Sequence, residues 1–348
     1  MDTIKKTEKK GFFAWLRDMW VNHPLFSTAL VLLLMVIVQG FVLAGQTPNF
    51  AEWLPKWANN WMNILRNNAS IGIIALGMTF VIISGGIDLA VGSTLVAVGA
   101  VVMMLIDTGD KGFLQNLGIT GIPAFIIAIA VGCLFGTALG GVNGLLITKG
   151  KLPPFIATLG IMKICRSVTQ QVMQGYTPTV PKSFLQIASF EIGGQMLMPI
   201  IYWAGLAAIF YVVSKRTTFG RQVIAVGSNE RAAKLSGVSV SKVKMGVYAL
   251  IGLMVGLATI LQVSRIGSMD PANAGSGYEM DAISAVIVGG TSMAGGRGTI
   301  LGTVIGTLII VVMNNLLNLI GVPPFLREAF KGVIVIAAVL LQKKENNS

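Results

Sequence analysis

One long polar interval separates two strongly apolar blocks of this sequence: SKRTTFGRQVIAVGSNERAAKLSGVSVSKVK, at residues 214–244. The interval carries seven Lys and Arg residues against a single acid, Glu230. Short connections on the cytoplasmic side of a membrane accumulate basic residues in this way. We therefore expect residues 214–245 to form a cytoplasmic loop between two membrane-spanning helices.

A short capped helix is predicted inside this loop. The side-chain oxygen of Ser228 or Asn229 can cap its first turn, where Glu230 also suits the positive helix end. Gly237 can take the left-handed conformation that commonly ends a helix. The loop would thus present a compact, charged helix to a cytoplasmic partner. The predicted helix and its flanks are Gly227, Ser228, Asn229, Glu230, Arg231, Ala232, Ala233, Lys234, Leu235, Ser236 and Gly237.

The composition excludes a soluble domain. Apolar residues make up 54% of the 348 residues, charged residues only 11%, and the mean hydropathy is +0.76. These values are typical of a polytopic membrane protein. The net charge of +12 is dispersed among loops, so it indicates membrane orientation and not a nucleic-acid partner. Cys133, Cys165 and His23 stand apart in the sequence and predict neither a disulfide nor a metal site.

Apolar runs predict an all-α polytopic membrane protein with ten crossings, one of them a short half-helix. Residues 25–341 would form the transmembrane domain, and residues 342–348 a cytoplasmic tail. Residues 1–24 mix basic and aromatic side chains, which favours an amphipathic helix on the lipid of the inner leaflet, with a partly ordered tail as the alternative. The predicted crossings are residues 25–44, 69–84, 90–106, 123–148, 154–173, 196–213, 246–263, 281–290, 300–320 and 325–341.

The distribution of basic residues supports this topology. Of the 26 Lys and Arg residues, 17 fall in predicted cytoplasmic segments and five in predicted outside segments, as the positive-inside bias requires. The ten crossings return both termini to the cytoplasm. If residues 281–290 only dipped into the membrane interface, Lys343 and Lys344 would be left on the outside.

Three predicted crossings carry glycines at four-residue spacing. Such spacing leaves a bare helix face on which another backbone can approach closely. We expect close helix packing at Gly132, Gly136, Gly140 and Gly144, at Gly252 and Gly256, and at Gly302 and Gly306.

Glycine-rich turns follow two of the apolar runs. Residues 85–92 and 289–296 share the pattern G-G-x-x-x-A-x-G, which suggests an internal repeat, although four matches in eight positions also arise by chance. Irregular backbone at membrane depth is tolerated only where protein or a water-filled cavity covers it. Both turns are therefore candidates for the inner mouth of a pathway, through Gly85, Gly86, Gly289, Gly290 and Thr291.

Polar residues within or beside the crossings are further candidates for the pathway. Asp88 is interpreted as the residue that starts or caps a helix, with a proton- or cation-coupling carboxylate as the alternative. Lys163 and Arg166 lie one turn apart on one helix face, and Gln170 extends it. Two cations on one face favour a cavity or a subunit contact over simple snorkelling. The ninth crossing carries amides that can hydrogen-bond across helices or to a polyol: Asn314, Asn315 and Asn318.

The sequence lacks the motifs of an energy-converting or catalytic site. It contains no phosphate-binding loop G-x-x-x-x-G-K-[ST], no H-E-x-x-H and no G-x-S-x-G. We therefore expect that the chain is not itself an enzyme and that energy for uphill transport comes from elsewhere. A proton- or sodium-coupled carrier would need an acid in mid-span, and Asp88 is the one candidate.

Three ordered motifs together resemble the permease subunit of bacterial ABC importers for monosaccharides of the ribose, xylose, arabinose and galactose type. They are residues 85–93, then Phe219-Gly220-Arg221 with residues 227–237, then residues 281–296. In ABC importers the permease inserts a cytoplasmic coupling helix into its ATPase. Ala232-Ala233 followed by Gly237 matches part of that motif, whereas Arg231 stands where the family has its glutamate.

The resemblance also implies partners and a location. It implies a second permease copy, identical or a close paralogue, a cytoplasmic ATPase that holds ATP and Mg²⁺, and a periplasmic sugar-binding protein. This chain would hold no cofactor and would lie in the bacterial inner membrane. The sugar stays open, because specificity resides mainly in the binding protein. A proton- or sodium-coupled secondary carrier is the alternative.

Overall fold

The computed structural model describes residues 24–346, which are almost entirely helical. Residues 1–23 and 347–348 lie outside the described residues, and with them the predicted inner-leaflet segment and the end of the predicted tail. The described residues form fourteen helices and one two-stranded hairpin. The elements are α1 (Pro24–Ala44), α2 (Phe50–Ile83), α3 (Val91–Ile106), α4 (Phe113–Asn116), α5 (Ile122–Thr148), α6 (Pro154–Met173), α7 (Lys182–Ser189), β1 (Glu191–Ile192), β2 (Gln195–Met196), α8 (Met198–Arg216), α9 (Thr218–Ser228), α10 (Glu230–Leu235), α11 (Val240–Ile266), α12 (Tyr278–Val288), α13 (Ile300–Leu319) and α14 (Pro324–Asn346).

Six of the described helices are long and apolar enough to cross a membrane: α1, α2, α5, α8, α11 and α13. Helix α3 is apolar but shorter. Helices α6, α12 and α14 coincide with further predicted crossings. The chain is therefore an all-α polytopic membrane protein, as the composition predicted, while the count of ten crossings stays a prediction.

Helix α2 begins well before the crossing that hydropathy predicted at residue 69. Its first half is largely exposed and carries stacked aromatic rings, with the ring centroids of Trp53 and Trp57 6.0 Å apart. Rings of this kind favour a membrane interface. Its second half, from Ala69 to Ile83, is buried on all sides and forms the centre of the core. The hydropathy of the sequence predicted only this buried half, because polar side chains interrupt the apolar run in the first half of α2.

The central helices pack through the predicted glycine faces. Gly136 and Gly140 of α5 lie against Gly252 of α11, where an added Cβ would overlap backbone atoms. On α13, Gly302 lies against the backbone of Gly289, just after α12, and Gly306 lies against the backbone of Ala285 within α12. Glycine allows this approach because it has no side chain. The predicted close packing of these faces is confirmed.

Loops gather at two ends of the molecule. At one end, which we call the basic end, the turn at residues 84–85 meets the loops at residues 217–239 and 289–299. At the opposite end, the N–H of Thr108 donates a hydrogen bond to the carbonyl of Thr179 at 3.0 Å. Segments that the sequence predicted on one side of the membrane therefore lie together.

A non-helical stretch, residues 267–277, connects α11 to the short helix α12, and we call it the returning segment. It runs from the end of α11 back along α3, where Met269 lies against Gly99 and Gly275 lies against Gly92. These contacts are seven residues apart on α3, so the segment descends by about 10 Å. Helix α12 therefore starts inside the protein and reaches the basic end with only 11 residues.

Candidate functional site

The predicted capped helix is present as α10, at the basic end. The side chain of Asn229 accepts a hydrogen bond from the N–H of Ala232 at 3.0 Å and so caps the first turn. Ser228 is not the cap, because its hydroxyl donates to the carbonyl of Ile224. Gly237 follows the helix in the left-handed conformation, with a φ of 84°. The local sequence signals therefore set both ends of α10.

The two sides of α10 differ in exposure. Ala233 is only 5% exposed and belongs to the hydrophobic core of the chain, so it anchors the helix and is not available to a partner. Leu235 is 90% exposed. Burial of a leucine side chain against a partner contributes about 2 kcal/mol. Arg231 and Lys234 are exposed on the same helix, so α10 presents an apolar side chain together with two cations.

Glu230, which departs from the expected position of the family glutamate, has a partner within the chain. Its carboxylate oxygen Oε2 lies 2.6 Å from Nζ of Lys244, near the start of α11. The Glu230 side chain is largely exposed, and ion pairs of this kind contribute at most about 1 kcal/mol. The pair therefore helps to orient α10 against α11, and no contact to a partner needs to be assigned to Glu230.

Three glycine-containing segments meet beneath α10, and we call this contact the glycine junction. The N–H of Gly296 donates to the carbonyl of Ile83 at 2.8 Å. Gly227 lies against that same carbonyl, and an added Cβ would overlap it. Gly296 also lies against Ser228. The chain that leads into α10 is thus held by the end of α2 and by residues 289–299, which we call the glycine loop.

The two glycine-rich turns at this end share one way of ending a helix. Gly85 and Gly290 are left-handed, with φ of 78° and 88°, and each turn makes the same backbone hydrogen bonds to the helix before it. The sequence pattern instead aligned Gly85 with Gly289, which packs against Gly302. In the structure Gly85 therefore corresponds to Gly290, one position away from the sequence alignment. The shared residues reflect the same way of ending a helix, and they do not support an internal repeat in that alignment.

The turn before α3 is buried and tightly held. Asp88 is 3% exposed, and its carboxylate accepts a hydrogen bond from the N–H of Ala90 at 2.8 Å. The hydroxyl of Tyr248 donates to the carbonyl of Ile87 at 3.0 Å and occupies the place where a Cβ on Gly86 would lie. Asp88 therefore fixes the turn that leads into α3, but it neither begins nor caps the helix, because α3 starts at Val91 and Ala90 holds the N-cap position. The role of this turn, and of the buried Thr291, at the mouth of a pathway stays a prediction.

The structure separates the two cations of α6. Arg166 is half-buried, and its Nη1 donates to the carbonyls of Ala274 at 2.8 Å and Pro271 at 3.3 Å. Arg166 thereby holds the returning segment in place, and we call this contact the arginine clamp. Lys163 and Gln170 are exposed on the same helix. A place for this face in the pathway or at a subunit contact stays a prediction.

Asn315 of α13 makes hydrogen bonds across helices. Its side-chain oxygen accepts from Gln39 at 2.7 Å, and its amide exchanges two hydrogen bonds with Asn60 at 3.0 and 3.1 Å. These three amides tie α1 and α2 to α13. Asn314 is half-buried beside them. The sequence did not identify Gln39 and Asn60, because an amide in or near an apolar run carries no signal of its partner.

An ion pair that the sequence did not predict lies near the start of α12. Nζ of Lys331, on α14, is 2.9 Å from a carboxylate oxygen of Asp281 and 2.9 Å from one of Glu328. The side chains of Lys331 and Asp281 are largely buried. A buried pair depends on both partners, because removal of one leaves an uncompensated charge. The pair therefore fixes α14 to the half-helix α12.

A polar cluster at the opposite end fixes the turn after α3. The carboxylate of Asp107 accepts hydrogen bonds from the hydroxyl of Tyr176 at 2.6 Å and from the N–H groups of Thr179 at 2.7 Å and Gly109 at 2.9 Å. Burial raises the pKa of Asp107, but these hydrogen bonds outweigh it and hold the pKa below its ordinary value. Burial, together with the same carboxylate, raises the pKa of Tyr176. Asp107 is therefore ionised at neutral pH.

A comparison with protein families identifies the family of this chain. The family described as the permease component of branched-chain amino acid transport systems matches residues 60–339. The chain belongs to this permease family. The match includes the glycine junction, α10, the returning segment and the arginine clamp, so all of these features lie within the permease region.

Import permeases match along most of the chain. The ribose import permease protein of Bacillus subtilis (strain 168) is 41% identical, over 86% of this chain and 88% of the relative. The ribose import permease protein of Escherichia coli (strain K12) is 39% identical, over 95% of each chain. The galactose/methyl galactoside import permease protein of Escherichia coli (strain K12) is 34% identical, over 96% of each chain. No solved structure matches this chain. The resemblance to permeases of ABC monosaccharide importers is thus confirmed.

Proposed function

We propose that this permease is the membrane-spanning subunit of an ATP-driven importer that moves a ribose- or galactose-like monosaccharide across the bacterial inner membrane. The family match supports the role of the subunit. The names of relatives that are 34–41% identical support the class of substrate. Uptake of labelled ribose and galactose by the assembled importer would distinguish the two sugars.

The proposal assigns ATP and Mg²⁺ to a separate cytoplasmic ATPase, because the sequence lacks a phosphate-binding loop. A periplasmic binding protein delivers the sugar, and a second permease copy, identical or a close paralogue, completes the pathway. The chain makes ten crossings with both termini in the cytoplasm. The clustering of basic residues in the predicted cytoplasmic segments supports this orientation.

The exposed side of α10 is the observation that carries the proposal. Leu235 is a large apolar residue that is 90% exposed on a capped helix, and Arg231 and Lys234 are exposed on the same helix. The helix rests on the glycine junction, which joins it to α2 and to the glycine loop. A partner that binds Leu235 therefore acts on a helix that the glycine junction connects directly to the membrane-spanning helices. Coupling to an ATPase requires such a connection.

Substitution of the exposed leucine tests this docking role. In Leu235→Glu, sugar-stimulated ATP hydrolysis of the reconstituted complex should fall at least tenfold, because a charge replaces the apolar side chain in the contact. The permease should still insert, since Leu235 makes no part of its core. Ala233→Asp would be a poor test, because Ala233 is buried within the permease itself. Unchanged ATPase coupling in Leu235→Glu would remove the assignment of α10.

A secondary carrier is the second candidate, because Asp88 is a buried acid next to a helix start. The proposal predicts that permease reconstituted without its ATPase moves no sugar under a proton or sodium gradient. Uptake by the permease alone would favour the carrier instead, and Asp88→Asn would then be expected to abolish it.

A further inference from the structure

The glycine loop forms a compact hairpin-like turn at the basic end. The N–H of Ser292 donates to the carbonyl of Arg297 at 3.0 Å, and the N–H of Gly295 donates to the carbonyl of Ser292 at 3.0 Å. The base of the turn is fixed, because Gly296 is buried against Ile83. The loop therefore holds its tip, Met293 and Ala294, in a defined position.

The tip of the glycine loop has the chemistry of a protein-binding surface. Met293 is 43% exposed, and Ala294 and Arg297 are exposed beside it. Methionine adapts to irregular partner surfaces, and methionine and arginine are enriched in protein interfaces. The tip lies at the end of the molecule that carries the basic loop, so its apolar side chain faces the same aqueous side as α10.

The base of the glycine loop packs against the chain that leads into α10. Gly295 lies against Gly227, and Gly296 lies against Ser228, immediately before the helix that carries Leu235. Both α10 and the glycine loop present exposed apolar and cationic side chains at the basic end. These exposed residues are Arg231, Lys234, Leu235, Met293, Ala294 and Arg297.

We propose that the tip of the glycine loop is a second contact for the ATPase, in addition to α10. We expect the contact surface of the ATPase to have an apolar depression that receives Met293 and Leu235. We expect acidic residues around it, because Arg231, Lys234 and Arg297 are positively charged. This proposal rests on the proposed function, because it assumes that α10 binds the ATPase. It adds a site that lies in a different part of the sequence.

The position of the loop gives the second contact a mechanical consequence. The glycine loop connects α12 to α13, and its base is hydrogen-bonded to the end of α2 through Ile83. A displacement of the tip by the ATPase is therefore transmitted to three helices of the core. Contact through α10 reaches the core by a different route, through Gly227, Ser228 and the buried Ala233.

Photo-crosslinking tests the second contact directly. A benzophenone amino acid is placed at Met293, at Leu235, or at Leu152, which is 39% exposed in the predicted cytoplasmic loop between α5 and α6. In the complex with its ATPase, Met293 and Leu235 should both crosslink to the ATPase, and Leu152 should give at least fivefold less product. Crosslinking at Leu235 without Met293 overturns the second contact and leaves the proposed function standing. Failure at Leu235 as well would indicate that the proposed function itself is wrong.

A matched pair of substitutions provides a functional readout. Met293→Glu should lower sugar-stimulated ATP hydrolysis at least fivefold, whereas Leu152→Glu, the same change on another loop, should leave it within twofold of the unmodified complex. Both variants should insert normally, because both side chains are exposed. Full ATPase coupling in Met293→Glu overturns the proposal even if α10 is confirmed by Leu235→Glu.

Discussion

At the glycine junction, Gly227 and Gly296 bring backbone directly onto the carbonyl of Ile83, whereas at the arginine clamp the long side chain of Arg166 bridges to the carbonyls of the returning segment. Both contacts hold irregular backbone next to a short helix. The first leaves no side chain that could rearrange, so a movement of one segment moves the others. The second can open, because water can replace a guanidinium at a carbonyl. The junction therefore suits transmission of force, and the clamp suits a segment that is released.

The largest expected effect comes from adding atoms to the glycine junction. Gly227→Ala should destabilise the permease by about 3 kcal/mol, because its Cβ would overlap the carbonyl of Ile83, and Gly227→Val should abolish transport. Thermal unfolding in detergent and sugar uptake measure the two effects. Gly141→Ala is the matched control, since no atom beyond its own stretch of helix lies within 4 Å of its added Cβ. Normal transport by Gly227→Val would show that the glycine junction can rearrange, and that it is no more rigid than the arginine clamp.

A smaller effect is expected at the clamp. Arg166→Met removes two hydrogen bonds from the carbonyls of Pro271 and Ala274 and should cost about 2 kcal/mol. The returning segment should also become more accessible, which faster labelling of a cysteine at the half-buried Ala274 would detect. Lys163→Met removes the same charge from an exposed position of the same helix and should change stability by less than about 0.5 kcal/mol. Equal losses of stability in the two variants would show that the loss of a positive charge, and not the loss of the clamp hydrogen bonds, destabilises the protein.

The smallest effect concerns pH. The pKa of Asp107 is lower in the folded protein than its ordinary value, so its contribution to stability is present at neutral pH and is lost as the pH falls below about 4. The three backbone groups of the glycine junction do not titrate. Asp107→Asn should lose about 1 kcal/mol at pH 7 and should unfold with a weaker dependence on pH than the unmodified permease. A pH profile identical to that of the unmodified protein would contradict this role of Asp107.

Much of the basic end could be predicted from the sequence because its signals are local. The cap at Asn229 and the left-handed Gly237 depend on neighbours within one helical turn. Residues that reach across the fold gave no such signal. Gln39 and Asn60 meet Asn315, and Lys331 meets Asp281, from distant parts of the chain. The sequence indicated that such polar groups need partners but could not identify them.

The sequence by itself determined that this is a helical membrane protein, where its glycine-faced helices lie, and which loop carries a capped basic helix. Only the tertiary structure decided that Ala233 faces inward and Leu235 outward, that Gly227 rests on Ile83, and that the returning segment completes α12. The physical reason is that lipid is as apolar as a protein core, so the hydrophobic pattern of a membrane helix does not mark its inward face. The choice of neighbour then depends on shape and on the pairing of polar groups, which are properties of the packed chain.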